Sequence, residues 1–271
     1  MKQQHGVAAM LRRCVPERYR PIGYLTALVR QRTGDRVRCG PFAGMHYPDR
    51  AIHSAYLPKL LGSYERELTA VIEEVCARSP ELIVDVGAAE GYYAVGFARR
   101  NPQARVIAFE ATRLGRSALE RTARMNGVLT RMRVGGRCHI AELQNALATG
   151  IGRPRSLHGC RAFVICDVEG DEKTLLDPAV VHGLRSAWVL AETHEFVQPG
   201  VTEELRQRFS ATHRVEEIRQ QPRSANEFPY RTLCTALLPR SYLEWAVSEW
   251  RPDVMSWLWM KPLNAGQGFD R

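Results

Sequence analysis

No stretch of the 271-residue sequence reaches the roughly 18 uninterrupted apolar residues that a membrane span needs. The basic residues near the N-terminus are followed by no apolar segment of a secretory signal, so a cytoplasmic protein is expected. Cysteine is sparse and scattered. Cys14, Cys39, Cys76, Cys138, Cys160, Cys166 and Cys234 are odd in number and never spaced C-x-x-C, which points away from a disulfide framework and from a zinc site. Internal repeats and low-complexity stretches are also missing. Acidic residues are in short supply, 29 Asp and Glu against 38 Lys and Arg, for a formal charge of +9. Much of the excess lies early, where Lys2, Arg12, Arg13, Arg18, Arg20, Arg30, Arg32, Arg36 and Arg38 face only Glu17 and Asp35. Such an arm suits nucleic acid, an anionic surface or an acidic substrate. It lacks the interleaved aromatic residues of a single-strand-binding groove, and a solubilising arginine-rich surface is the plainer expectation.

What is present, with a hydrophobic content of 45%, is enough for one α/β core plus an appendage. Residues 1–55 are Arg-rich and broken by Gly34, Gly40, Pro41, Gly44 and Pro48, and they read as an N-terminal appendage. Leu68, Val71, Ile72, Val75 and Cys76 then fall at helical spacing up to Pro80. An alternation follows: strand 82–87, helix 91–100, strand 105–110, helix 113–125, and a short strand near 131–135. Strand 162–167, helix 172–184, strand 187–194 and helix 202–210 continue it. This pattern predicts a Rossmann-like α/β fold with a seven-stranded, mostly parallel sheet and helices on both faces. Segments 214–218 and 232–238 are assigned to the antiparallel closing pair, within a domain spanning 56–241. The tail, 242–271, carries Trp245, Trp250, Trp257 and Trp259 and reads as packing or a substrate wall.

The most informative stretch is Asp85-Val86-Gly87-Ala88-Ala89-Glu90-Gly91, which ends one apolar run, with Glu110 at the end of the next. Gly87 and Gly91 let the backbone turn sharply and approach a ligand, and a carboxylate at the neighbouring strand tip suits ribose hydroxyls. The G-x-G-x-x-G spacing that seats a pyrophosphate is absent. Glu90 would set a carboxylate where phosphates lie. A ribose-bearing ligand with a cationic tail and no phosphate is favoured, and S-adenosylmethionine meets that description, with Asp85 placed to accept from its amino group.

These residues resemble the class I S-adenosylmethionine-dependent methyltransferases and, within them, the FkbM-type family. Two further stretches carry the resemblance: Cys166-Asp167-Val168-Glu169-Gly170, similar to that family's D-V-E-G segment, and Val189-Leu190-Ala191-Glu192-Thr193-His194, similar to its E-x-H strand. It covers residues 82–196, with an echo upstream in Leu60-Leu61-Gly62-Ser63-Tyr64-Glu65. Where the family usually has Asn, this chain has Ala89 or Glu90. The resemblance implies O-methylation of a small-molecule or saccharide hydroxyl, with Asp85, Gly87, Ala88, Glu90, Gly91 and Glu110 at the cofactor. Cys138, at the exit of the third strand, flanks the adenine in that reading.

Methyl transfer needs an aligned acceptor and a group to remove its proton. Ligands in open α/β sheets bind beyond the carboxyl ends of the strands, where Asp167, Glu169, Glu192 and His194 lie. Residues two apart on a strand share a face, so Glu192 and His194 emerge together, as do Asp167 and Glu169 if the chain stays extended. His194 is the expected base, oriented by Glu192 or Asp167. A divalent metal on these four residues is chemically allowed, although a metal-free site is expected. The Asn/Asp-Pro-Pro-aromatic run of enzymes that methylate exocyclic base nitrogens is absent, which favours an oxygen acceptor. An RNA methyltransferase guided by the arginine arm and a non-catalytic cofactor-binding protein are the alternatives.

Overall fold

Leu82, Val84 and Val86 of strand β1 (Leu82–Val86) face one apolar core while Ile83 faces another, so this strand is covered on both sides. The computed structural model describes residues 20–48, 51–52, 54–150, 161–251 and 253–263. The sheet continues with β2 (Arg105–Phe109), β3 (Met132–Gly135), β4 (Ala162–Cys166), β5 (Trp188–Thr193), β6 (His213–Arg219) and β7 (Ser256–Pro262). Strand order is β3-β2-β1-β4-β5-β7-β6, with β1 to β5 parallel and β7 antiparallel to both neighbours. This is the expected Rossmann-like sheet, mostly parallel with an antiparallel closing strand. The direction of strand addition reverses between β1 and β4, and the crevice this opens at their carboxyl ends is where such sheets hold ligands.

The helices are α1 (Pro21–Thr33), α2 (Tyr56–Leu61), α3 (Thr69–Arg78), α4 (Tyr92–Arg100), α5 (Arg113–Met125), α6 (Ile140–Gly150), α7 (Glu172–Leu175), α8 (Val201–Phe209), α9 (Leu233–Leu237) and α10 (Arg240–Val247). Residues of α3, α4 and α5 share one core, and residues of α6 and α8 share the other. Among the described residues no helix is long and apolar enough to cross a membrane.

Four expectations are corrected. Segment 232–238 is no strand. The Thr232 hydroxyl accepts from the Thr235 amide at 3.1 Å and the Thr235 hydroxyl from the Thr232 amide at 2.8 Å, a reciprocal cap that starts α9 and overrides the β-branched composition. The closing strand is β7, from the segment read as a packing tail. Trp257 and Trp259 enter one core and Leu258 and Met260 the other, so the tail, as far as residue 263, belongs to the sheet.

The expected helix over 172–184 stops at Leu175. Pro178 supplies no amide donor, and the Asp177 carboxylate accepts from the Ala179 amide at 2.7 Å, which favours a turn. Finally, the described part of the N-terminal appendage is core rather than arm. Phe42 sits edge-on to Tyr92 and Phe97, with ring centroids 5.4 and 5.3 Å apart, and Leu25, Val29 and Met45 are fully buried beside them. The basic residues before Arg20 lie outside the described residues.

Candidate active site

Three strand ends are laced together by the turns that follow them. The Gly87 and Ala88 amides both donate to the Phe109 carbonyl at 2.9 Å, and the Asp167 amide donates to the Val86 carbonyl at 2.9 Å. Gly87 has φ +92°, and a Cβ at this position would collide with the Asp167 carbonyl oxygen. Glycine is therefore required by two independent constraints, backbone conformation and close approach. Beyond these ends lies a cavity of about 630 Å³, within the range of small-molecule sites. Asp85, Gly87, Ala88, Glu110 and Cys138 line it, and so do Asp167, Glu169, Glu192 and His194.

Glu90 and Gly91, expected at the cofactor, do not line this cavity. Glu90 is fully buried and accepts from the Lys59 ammonium at 2.6 Å, the Ile52 amide at 2.9 Å and the Tyr47 hydroxyl. Burial raises its pKa, but Lys59 and these hydrogen bonds outweigh burial and hold it below the ordinary glutamate value. A carboxylate so neutralised repels no phosphate, so the expectation placed on Glu90 fails. Gly91 has φ +91° at the entrance of α4, and a Cβ there would strike Leu119.

The carboxyl group left without a partner at the cavity is that of Asp85. It is 3% exposed, and its Oδ2 has no partner among the described residues. Burial and the nearby Asp167 charge push its pKa up to about 8. A carboxyl group in this state gains from a cationic partner. Glu110, at the tip of β2, is fixed from both sides: Oε2 accepts from the Ala89 amide at 3.0 Å, and Oε1 from the Thr112 amide and hydroxyl at 2.7 Å. A carboxylate has about four acceptor positions, which leaves capacity for a ligand hydroxyl. Burial pushes the Cys138 thiol up to about 12, so it serves as a neutral wall.

At the other end, Glu192 and His194 do emerge together from β5, with His194 Nε2 3.6 Å from Asp167 Oδ1 and 3.8 Å from Glu192 Oε2. The group orienting the imidazole is neither of those acids. It is Glu172, buried at the start of α7 and bonded to His194 Nδ1. Burial lowers the His194 pKa, but the Glu172 bond and the Asp167 charge outweigh it, and the net shift is upward. Glu169 has φ +38°, so the chain leaves extended geometry after β4. Glu169 borders the cavity without joining the group around His194.

Arg251 escaped the sequence reading. Its guanidinium pairs with Glu65 and Glu192, reaches Glu249 Oε2 at 3.4 Å, and donates to the Tyr64 hydroxyl at 3.2 Å. Glu249 in turn accepts from Arg223 at 2.5 Å, and Arg223 pairs with Glu67 at 2.7 Å. The segments before α3 and after α10 are thereby pinned to the tip of β5. Tyr64 and Glu65 stand in a stretch with a sequence signal, but nothing local distinguishes Arg251 from the other arginines.

No family profile and no curated protein matches the chain. Among solved structures it is similar to the O-methyltransferase TomG from Streptomyces achromogenes, involved in tomaymycin synthesis and in complex with SAM. That pair shows 14% identity over 96% of this chain and 99% of that one, with a TM-score of 0.43. It is similar to the O-methyltransferase from Bacillus cereus in complex with SAH, at 13% identity over 70% and 78% of the two chains, TM-score 0.42. The METTL16 MTase domain matches at 13% identity over 88% and 78%, TM-score 0.47. At such identities the site has to be read from its own residues.

Those residues divide the cavity chemically. One end offers an unpaired buried carboxyl oxygen and a fixed carboxylate at adjacent strand tips, suited to a cation and a diol. The other offers an oriented imidazole between two carboxylates, suited to holding a hydroxyl group and taking its proton.

Proposed function

We propose that the chain is an S-adenosylmethionine-dependent methyltransferase acting on a hydroxyl oxygen of a small molecule or saccharide. The observation that carries this reading is the single cavity joining Asp85 and Glu110 to Asp167, Glu192 and His194. The residues fit the cofactor: Asp85 Oδ2 is an orphaned buried acceptor for an α-amino group, Glu110 meets the ribose, Cys138 lies toward the adenine, and Gly87 and Ala88 form the floor. When bound, the cofactor supplies a methyl group already activated on a sulfonium.

The protein's share is alignment and proton removal. Glu172 fixes the His194 ring, Arg251 fixes Glu192, and the corner formed with Asp167 receives the proton of the acceptor hydroxyl. The FkbM-type resemblance supports natural-product or sugar hydroxyls as acceptors. Calorimetric titration with S-adenosylhomocysteine tests the reading: one equivalent is expected to bind. Absence of binding, in protein shown to be folded, removes it.

A further inference from the structure

We propose that Asp167, Glu192 and His194 form a binding site for one divalent first-row metal ion on the acceptor side of the cavity. The inference deepens the methyltransferase reading and rests on it only for what the ion would do there, which is to hold and acidify the acceptor oxygen so that its proton passes to solvent. With the ion bound, His194 Nε2 is a ligand, and its role as proton acceptor belongs to the metal-free site.

One ligand atom from each of Asp167, Glu192 and His194 lies within 4.8 Å of the other two, and His194 Nε2 is 3.6 Å from Asp167 Oδ1 and 3.8 Å from Glu192 Oε2. Glu172, a carboxylate, faces His194 Nδ1, so Nδ1 carries the hydrogen and Nε2 presents a lone pair. Three potential ligand atoms then converge on one point. Glu192 makes the case sharper: it is fully buried, Arg251 occupies Oε1, and Oε2 has no partner among the described residues. A buried acceptor left unsatisfied is costly and calls for an explanation.

A proton on Nε2 is a poor explanation. At 3.6 and 3.8 Å the imidazole is beyond hydrogen-bond distance of both carboxylates. An ion bonded at about 2.0–2.2 Å spaces neighbouring ligands by roughly 3.0–3.6 Å, a small contraction of the two His194 separations. The surroundings match those of a metal centre. Glu172 orients the histidine through Nδ1 and is itself held by the Gly170 amide at 3.0 Å, the outer arrangement that fixes a ligating imidazole. Three protein ligands leave coordination positions facing the cavity, and Asp167, with its side chain 33% exposed, gives access. One imidazole and two carboxylates suit Mn²⁺, Fe²⁺ or Zn²⁺ better than Ca²⁺. Glu169, carried away by its positive φ, is excluded from the set.

Mn²⁺ titrated into the chelator-treated, cofactor-free full chain, followed by electron paramagnetic resonance, reads the site without reference to activity. One equivalent is expected to bind, with Glu192→Gln and Asp167→Asn each weakening it at least about tenfold and Glu169→Gln leaving it unchanged. Circular dichroism establishes that each variant is folded. If Glu192→Gln is not, Asp167→Asn, at a partly exposed loop position, decides. No saturable Mn²⁺ binding, binding that survives both substitutions, or equal loss in Glu169→Gln overturns the proposal. Titration with S-adenosylhomocysteine separates the two readings. Its binding without any Mn²⁺ site removes the metal proposal alone, and Mn²⁺ binding without it supports the metal site while removing the methyltransferase reading.

Discussion

Lys59 and Glu90 form an ion pair of 2.6 Å whose side chains are 6% and 0% exposed, Lys59 at the cavity wall and Glu90 behind it. The ammonium also lies 4.7 Å from the centroid of the Tyr64 ring, so both charges are compensated within the protein. Removing one partner of such a pair leaves a buried charge alone, which costs about 3–5 kcal/mol. Glu90→Gln is accordingly expected to lose that much in urea unfolding, and Lys59→Met combined with Glu90→Leu to recover most of it. A Glu90→Gln protein as stable as the parent would show that the pair has no structural role.

Asp85 predicts a trade between stability and binding. Its folded pKa of about 8 lies above the unfolded value, so its contribution to stability is fully present below about pH 4 and is lost as pH rises through about 8. Asn mimics the neutral carboxyl group. The stability of Asp85→Asn relative to the parent should grow by about 1.4 kcal/mol per pH unit across that window. Urea titrations at pH 5.5 and 7.5 check it, and a difference that stays constant sinks the assignment. Pairing with an ammonium requires the carboxylate, so S-adenosylhomocysteine binding at pH 7 should release a proton. Calorimetry in buffers of different ionisation enthalpy measures that release.

Glu110→Ala removes the acceptor assigned to the ribose and should weaken S-adenosylhomocysteine binding by about 1.5–3 kcal/mol. The substitution also frees the Ala89 and Thr112 amides that Glu110 now receives. Glu110→Gln, which keeps an acceptor for one of them, should fall between the parent and Glu110→Ala. Affinity unchanged in both variants would remove Glu110 from the cofactor site.

Much of this site is legible in the sequence because its parts are local. Asp85 and Gly87 sit at the end of one apolar run, Glu110 ends the next, and Asp167, Glu192 and His194 close two others, so strand periodicity alone delivers them to one edge of the sheet. What escapes is set by partners distant in sequence. Glu90 occupies a position that reads as ligand-facing until Lys59, 31 residues earlier, takes its carboxylate. Glu172 looks like an ordinary helix-starting acid until His194 reaches it. Arg251 meets Glu65 across 186 residues, a relationship that no local pattern encodes. Helix α6 has no counterpart among the elements read from the sequence, although Leu143, Ala146 and Leu147 carry helical spacing.

The misplaced closing strand yields the last prediction. β7 is inserted between β5 and β6, with Trp257 opposite both Glu192 and Ile218. Backbone hydrogen bonds of two neighbours therefore depend on it, and Trp257 and Trp259 are among the largest fully buried side chains. A chain ending at residue 241 would expose both strand edges and remove Arg251 from Glu192. Such a truncation is expected to lose cooperative unfolding, and Trp257→Ala in the full chain to cost about 3–5 kcal/mol. Circular dichroism melts of both would decide between a sheet strand and an accessory tail: a truncated chain that still melts in one sharp transition would mean that β5 and β6 stand without β7.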